Sequence, residues 1–176
     1  MNLWPFQPTS PPFPVVFAFG DQVWGGINFI GAASAVFPVA NDAFFLPFFV
    51  PKTVTVLELW WINGATVSGN VDVGIYNTSL ARVVSTGSTA QSGTTATQVV
   101  DIADTVLVGP AMYYGALACD NVTATFFRGN NYLTAAARIA GAFQQSSAFA
   151  LPATAVAAAY ASQYAPVAGI SMRATT

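Results

Sequence analysis

The chain has 176 residues, long enough for one domain with a proper core and too short for two full-sized domains plus a linker. Hydrophobic residues make up 54% of it while Asp, Glu, Lys and Arg together make up 7%, against roughly a quarter in ordinary soluble domains. The formal net charge is −2 and the five basic residues, Lys52, Arg82, Arg128, Arg138 and Arg173, are dispersed, so no basic surface is available to neutralise phosphates and nucleic acid is excluded as a partner. Histidine is absent, which removes the commonest general base, metal ligand and pH switch and rules out Ser–His–Asp and Cys–His constellations.

Residues 1–14, MNLWPFQPTSPPFP, hold five of the eleven prolines, interleaved with Trp4, Phe6 and Phe13. Proline fixes φ and removes a donor, so this stretch is expected to be an extended, polyproline-like arm ahead of one domain over residues 15–176. Trp4, Phe6 and Phe13 are the candidate intersubunit contacts. The stretch lacks a basic n-region and a continuous apolar h-region, and so reads as part of the mature protein rather than as a secretory signal. The sequons at Asn77 and Asn121 accordingly read as chance matches, since glycosylation requires secretion.

Short apolar runs follow, VVFAF and INFI, separated by Gly-Asp-Gln and Gly-Gly. Residues 22–41 carry no charge and approach the length of a spanning helix, but three glycines, a proline, two asparagines and a glutamine, with no flanking basic cluster, argue against one; no membrane partner is expected. AFFLPFFVP, residues 43–51, precedes TVTVLELWWI, residues 53–62, the strongest strand in the chain because it is β-branched and aromatic throughout. Its alternation shifts phase at Leu57, which predicts a bulge or a strand buried on both faces.

Turn signals at Asn63-Gly64 and Ser68-Gly69-Asn70 bracket the next strand. In VDVGIY, Val71, Val73 and Ile75 share one face and Asp72 and Gly74 the other; with the return run LARVVST this predicts a hairpin with one wet face. Residues 85–98, rich in Ser, Thr and Gly, read as a solvated loop or weak edge strand. TQVVDI, MYYGALAC, TATFFR and VAGISMR supply further strands spaced by turns; only the alanine-rich 133–143 tempts a helix assignment. The fold class expected is all-β: an antiparallel, jelly-roll-like β-sandwich of about eight strands.

Chemistry has few places to reside. Glu58 is the sole glutamate and sits mid-strand, and no stretch concentrates the seven acids, so no catalytic residues are assigned and an enzyme is not expected. Asp101, Asp104, Asp120 and Asn121 would suit a hard cation only if their loops met; turn formation is the simpler role, and no metal or cofactor is expected. Trp60, Trp61, Tyr76, Tyr113, Tyr114 and Tyr132 would form a sugar-stacking platform if exposed, or fill a core if not. Cys119 is the single cysteine, excluding an intrachain disulfide, and reads as a small buried hydrophobe.

The order AFFLPFFVPKTVTVLELWW, GNVDVGIYN, ARVVSTGSTAQSGTTATQVVDI, AMYYGALACDN and TATFFRG resembles β-sandwich modules of bacteriophage virion proteins, over about residues 43–130. The resemblance implies a virion location, a homo-oligomer with trimers favoured, and other virion proteins, above all the major capsid protein, as partners. It implies a capsid decoration or cement protein; the alternative is a glycan-binding, receptor-recognition module of a tail fibre or baseplate. A charge-poor chain with an aromatic arm fits either, because exposed apolar area marks association surfaces.

Overall fold

The computed structural model describes residues 13–15, 33–129, 138–162 and 164–174. It is an all-β sandwich with fourteen strands among the described residues, more than the eight expected because several loops add short pairings of two to four residues. One layer is a four-stranded sheet in the order β1 (Phe13–Val15), β14 (Ala168–Ala174), β4 (Val54–Ile62), β8 (Thr97–Leu107). The facing layer runs β12 (Ala158–Ala159), β11 (Phe143–Gln145), β3 (Ala43–Val50), β9 (Ala111–Cys119), β5 (Asn70–Tyr76), β6 (Arg82–Ser85), with β7 (Thr89–Ala90) also on β5. A third, small sheet of β13 (Ala165–Pro166), β10 (Thr125–Gly129) and β2 (Ala33–Val36) accompanies these two. Every pairing is antiparallel.

Alternation in the sequence builds the core directly. Phe44, Leu46, Phe48 and Val50 of β3 face Val54, Val56, Leu59 and Trp61 of β4 across the layers, joined by Val71, Val73 and Ile75 of β5. The phase shift at Leu57 is a bulge. Val56 pairs with Met172 and Glu58 with Ser171, leaving Leu57 without an opposite residue on β14, and the register against β8 shifts at the same place. Without that extra residue Glu58 and Trp60 would point into the core; with it, Leu59 and Trp61 do. Rings close the core beside β2 and β10, where Phe37 lies edge-on to Phe44 at 5.5 Å and to Phe126 at 5.7 Å.

The wet face expected for the β5 hairpin is not wet. Asp72 is fully buried and Tyr76 with it, because the chain after β11 folds back over the outer side of the large sheet. Phe143, Ala148, Leu151 and Ala155 form a second core with Ala43, Phe45, Tyr76, Ala116 and Ala118. Phe45 stacks on Phe143 at 4.3 Å and meets Tyr76 edge-on at 5.1 Å. The large sheet is thus covered on both faces over this part, which accounts for the unbroken burial of β5 from Val71 to Tyr76. Of the alanine-rich 133–143, residues 133–137 lie outside the described residues, Arg138 and Ile139 have helical backbone, and Phe143 opens β11.

No helix among the described residues is long and apolar enough to cross a membrane, and residues 33–36 of the uncharged 22–41 stretch form β2.

Candidate functional site

Two buried polar residues, Asn63 and Asp72, and the half-exposed Asp120 position the loops, and each lies where the sequence shows only a turn or a strand. Asn63, at the end of β4, is wholly buried and joins four partners. Its Oδ1 accepts the Trp61 indole N–H at 2.7 Å and the Gln91 amide at 2.9 Å, while its Nδ2 donates to the Ser92 carbonyl at 2.5 Å and to Gln98 Oε1 at 3.1 Å. Gln91 also donates to the Thr125 carbonyl at 3.0 Å, so the Ser/Thr-rich loop read as solvated is pinned inward by one buried glutamine. Gly64 follows because a Cβ there would lie 2.2 Å from Ser34 Oγ and 2.5 Å from Thr125 Oγ1.

Asp72 fastens the covering segment. Its Oδ2 accepts the Leu151 N–H at 3.0 Å and its Oδ1 the Thr86 hydroxyl at 3.3 Å, while the Arg82 guanidinium donates to the Leu151 carbonyl. Burial raises the Asp72 carboxyl above its ordinary 3.8, and the Leu151 N–H, the Ser85 and Thr86 hydroxyls and Arg82 offset this only in part. A carboxyl raised by folding contributes stability that is complete below its unfolded pKa and is lost as pH rises through the folded one. Acidification from neutral pH toward 4 is therefore expected to favour the native protein relative to Asp72→Asn, whose side chain does not titrate. Urea unfolding of both proteins at the two pH values measures this; an unchanged gap contradicts the burial of an ionised group at this position.

Asp120 and Asn121 organise the turn after β9. Asp120 accepts from the Asn70 N–H at 3.0 Å, the Asn70 amide at 2.8 Å and the Asn121 amide at 2.6 Å. Burial works to raise this carboxyl, and the hydrogen bonds outweigh it, leaving it below its ordinary 3.8. Asn121 in turn accepts the Thr123 and Ala124 N–H groups, each at 2.8 Å, and Asn77 likewise accepts the Ser79 and Ala81 N–H groups, so both sequon asparagines form turns.

Asp101 and Asp104 belong to β8 and not to this turn, and among the described residues no three acids or cysteines gather in a way that could hold a metal ion. Glu58 is half-buried, opposite Asp101 on β8 and Ser171 on β14. Cys119 is buried, and burial pushes its thiol up to about 11, which keeps it in the unreactive neutral form.

The rings considered for sugar stacking separate sharply. Trp61 and Tyr76 are fully buried, Trp60 and Tyr113 nearly so; Tyr114 is half-buried, and Tyr132 lies outside the described residues. Adjacent Trp60 and Trp61 do face opposite sides: Trp61 enters the core, and Trp60 lies across Gly169, where a Cβ would come within 2.3 Å of its ring. These rings do not combine into one exposed stacking face.

Of the candidate contact residues, Trp4 and Phe6 lie outside the described residues, and Phe13 opens β1, opposite Met172 on β14. The end of the expected arm thus joins the edge of the four-stranded sheet, and Pro14 is tolerated there because an edge strand has a side that needs no donor. On the outer face of the large sheet, Pro47 sits opposite Tyr114, whose ring meets Phe143 edge-on at 5.1 Å, and Phe49 sits opposite Met112. Phe49 is 38% exposed and Met112 41% exposed, next to a face that is otherwise buried. Cross-strand pairing alone brings these four residues together, since in the sequence Phe49 and Met112 read as ordinary members of separate apolar runs.

No family model, curated protein or solved structure matches the chain. Its class is defined by fold: a charge-poor, all-β sandwich in which Phe13–Val15 edge the four-stranded sheet.

Proposed function

We propose that this chain is a structural virion protein of a bacteriophage, a capsid decoration or cement protein that joins neighbouring major capsid subunits and forms a homo-oligomer, with a trimer favoured. The observation that carries the reading is the combination of 7% charged residues with β1, the end of the aromatic arm, seated as an edge strand on β14. Among the described residues β1 pairs with β14 alone, and an edge strand is a template for pairing with a further chain; large apolar residues such as Val36, Val39, Val106 and Val108 are more than half exposed. In a shell such surfaces are covered by neighbours, and symmetric attachment suits a compact module carrying an arm. The strand and turn order over residues 43–130 supports the same class.

Locating the chain in a virion density map tests the reading, with density on the shell expected. Trp4→Ala combined with Phe6→Ala is expected to release the protein from particles, because buried aromatic anchors carry a disproportionate share of contact energy. Full occupancy of the double variant on particles would remove the arm from the mechanism.

A further inference from the structure

We infer that the covering segment, residues 146–157, is a pH-sensitive strap: it lifts off the outer face of the large sheet without unfolding the sandwich, is held shut through Asp72 and Arg82, and opens more readily once Asp72 is ionised. This device is independent of what the protein attaches to, because it concerns how one chain covers its own sheet.

The segment is separable because of where its contacts go. Its buried apolar residues, Ala148, Leu151 and Ala155, all belong to the second core, and none is part of the core between the layers. Residues 146–157 lie between β11 and β12 and touch the sheet's ladders through the isolated bridge of Thr154 to Ala81. Backbone bonds tie the segment down at Ala148 N–H to the Asn41 carbonyl, 2.6 Å, and at Ala155 N–H to the Leu80 carbonyl, 2.8 Å, while the Arg82 N–H donates to the Ala153 carbonyl at 2.8 Å. A segment with so few buried contacts opens at a lower free energy than the whole domain.

Leu151 is the point of attachment. The Asp72 carboxylate accepts its N–H at 3.0 Å, its carbonyl accepts from the Arg82 guanidinium, and its side chain lies over Gly74, where a Cβ would come within 2.9 Å of Leu151 Cδ1. The next carbonyl, that of Pro152, accepts the Tyr76 hydroxyl at 2.6 Å. Two strands, β5 and β6, thus grip both backbone groups and the side chain of one residue, and neighbouring hydrogen bonds of this kind form and break together.

Asp72 has no exposure to water beneath the strap and regains it when the strap lifts. The groups facing it are few. Arg82 of β6 keeps its charge, and Ser85 and Thr86 supply hydroxyls. Tyr76 of β5 is raised by burial and stays neutral; β9 presents Tyr114, Ala116 and Ala118 on this face, and residues 146–157 hold no titratable side chain. Burial raises the Asp72 carboxyl, and its hydrogen bonds and Arg82 offset this only in part. Closure is therefore strongest below the pKa of the open form and weakens as pH rises through that of the closed form. Acid seals the strap; neutral pH loosens it and bares Phe45, Tyr76, Ala116 and Ala118.

The test is amide hydrogen exchange in the full chain near pH 4 and pH 7, expressed as protection factors so that the intrinsic pH dependence of exchange cancels. Protection at Leu151 and Ala155 is expected to lie at least about tenfold below that of the β3–β9 ladder, and to fall at least about threefold between the two pH values. Asp72→Asn should abolish that fall, because its side chain does not titrate. Arg82→Met, at an exposed position, should lower protection of both amides at both pH values by removing the donor to Leu151, and should steepen the fall, because the guanidinium lowers the carboxyl. If Asp72→Asn does not fold, the native trend and Arg82→Met decide. Exchange of the segment only in step with the β3–β9 ladder would overturn the strap; a trend that is absent, reversed, or retained in Asp72→Asn would overturn its control by Asp72.

Discussion

Asn63→Asp is expected to destabilise the protein by about 3 kcal/mol or more at neutral pH, because it places an unpaired charge in a buried network. The native amide is matched on both sides, its oxygen to the Trp61 and Gln91 donors and its nitrogen to the Ser92 and Gln98 oxygens. A carboxylate keeps the first pair and sets its second oxygen against two acceptors, in a position with no exposure to water. Protonation would restore one donor, so the deficit should shrink as pH falls, the sign required of a carboxyl whose folded pKa is raised. Guanidinium unfolding at neutral and acid pH measures both effects. A variant within about 0.5 kcal/mol of the native protein, the usual range for a surface change, would show that Asn63 is not the hub its contacts describe.

Phe45→Ala is expected to cost about 3–5 kcal/mol, the range for removing a large buried aromatic. The effect should also be directional. Phe45 is the ring on which Phe143 stacks and against which Tyr76 packs, so its loss loosens the segment over the outer face of the large sheet before the core between the layers is touched. Limited proteolysis should cut first within residues 146–157 of the variant, while β3, β4 and β9 persist. Phe49→Ala, four residues further along β3 on the same face but exposed, should change stability by no more than about 0.5 kcal/mol. Equal losses at the two positions would mean that the covering segment contributes nothing to holding β3.

Legibility in the sequence followed the range of the interaction. The β4 bulge could be read because a change of alternation within nine residues is itself the signal, and Leu57 carries it. Asp72 reads as a wet-face residue on equally sound local grounds. What buries it is Leu151, 79 positions away, in a stretch of Ala, Ser, Gln and Pro that has no strand or helix period of its own. Gln91 was hidden in the same manner, since a glutamine in a Ser/Thr-rich loop gives no sign that Asn63 and Thr125 lie within its reach. The arm stands out in the sequence by its prolines and rings, because both are matters of residue type.

By itself the sequence determined the all-β class, the inward sets on β3, β4 and β5, and the absence of histidine-based chemistry, because each follows from residue type and a two-residue period. Only the tertiary structure decided that a second layer of chain covers the large sheet, that Asn63 and Asp72 are interior, and that Phe49 and Met112 pair as partly exposed neighbours. Those outcomes depend on which distant segments meet, and a covering segment made of small residues is selected by the shape and hydrogen-bond partners it finds rather than by any pattern along its own length.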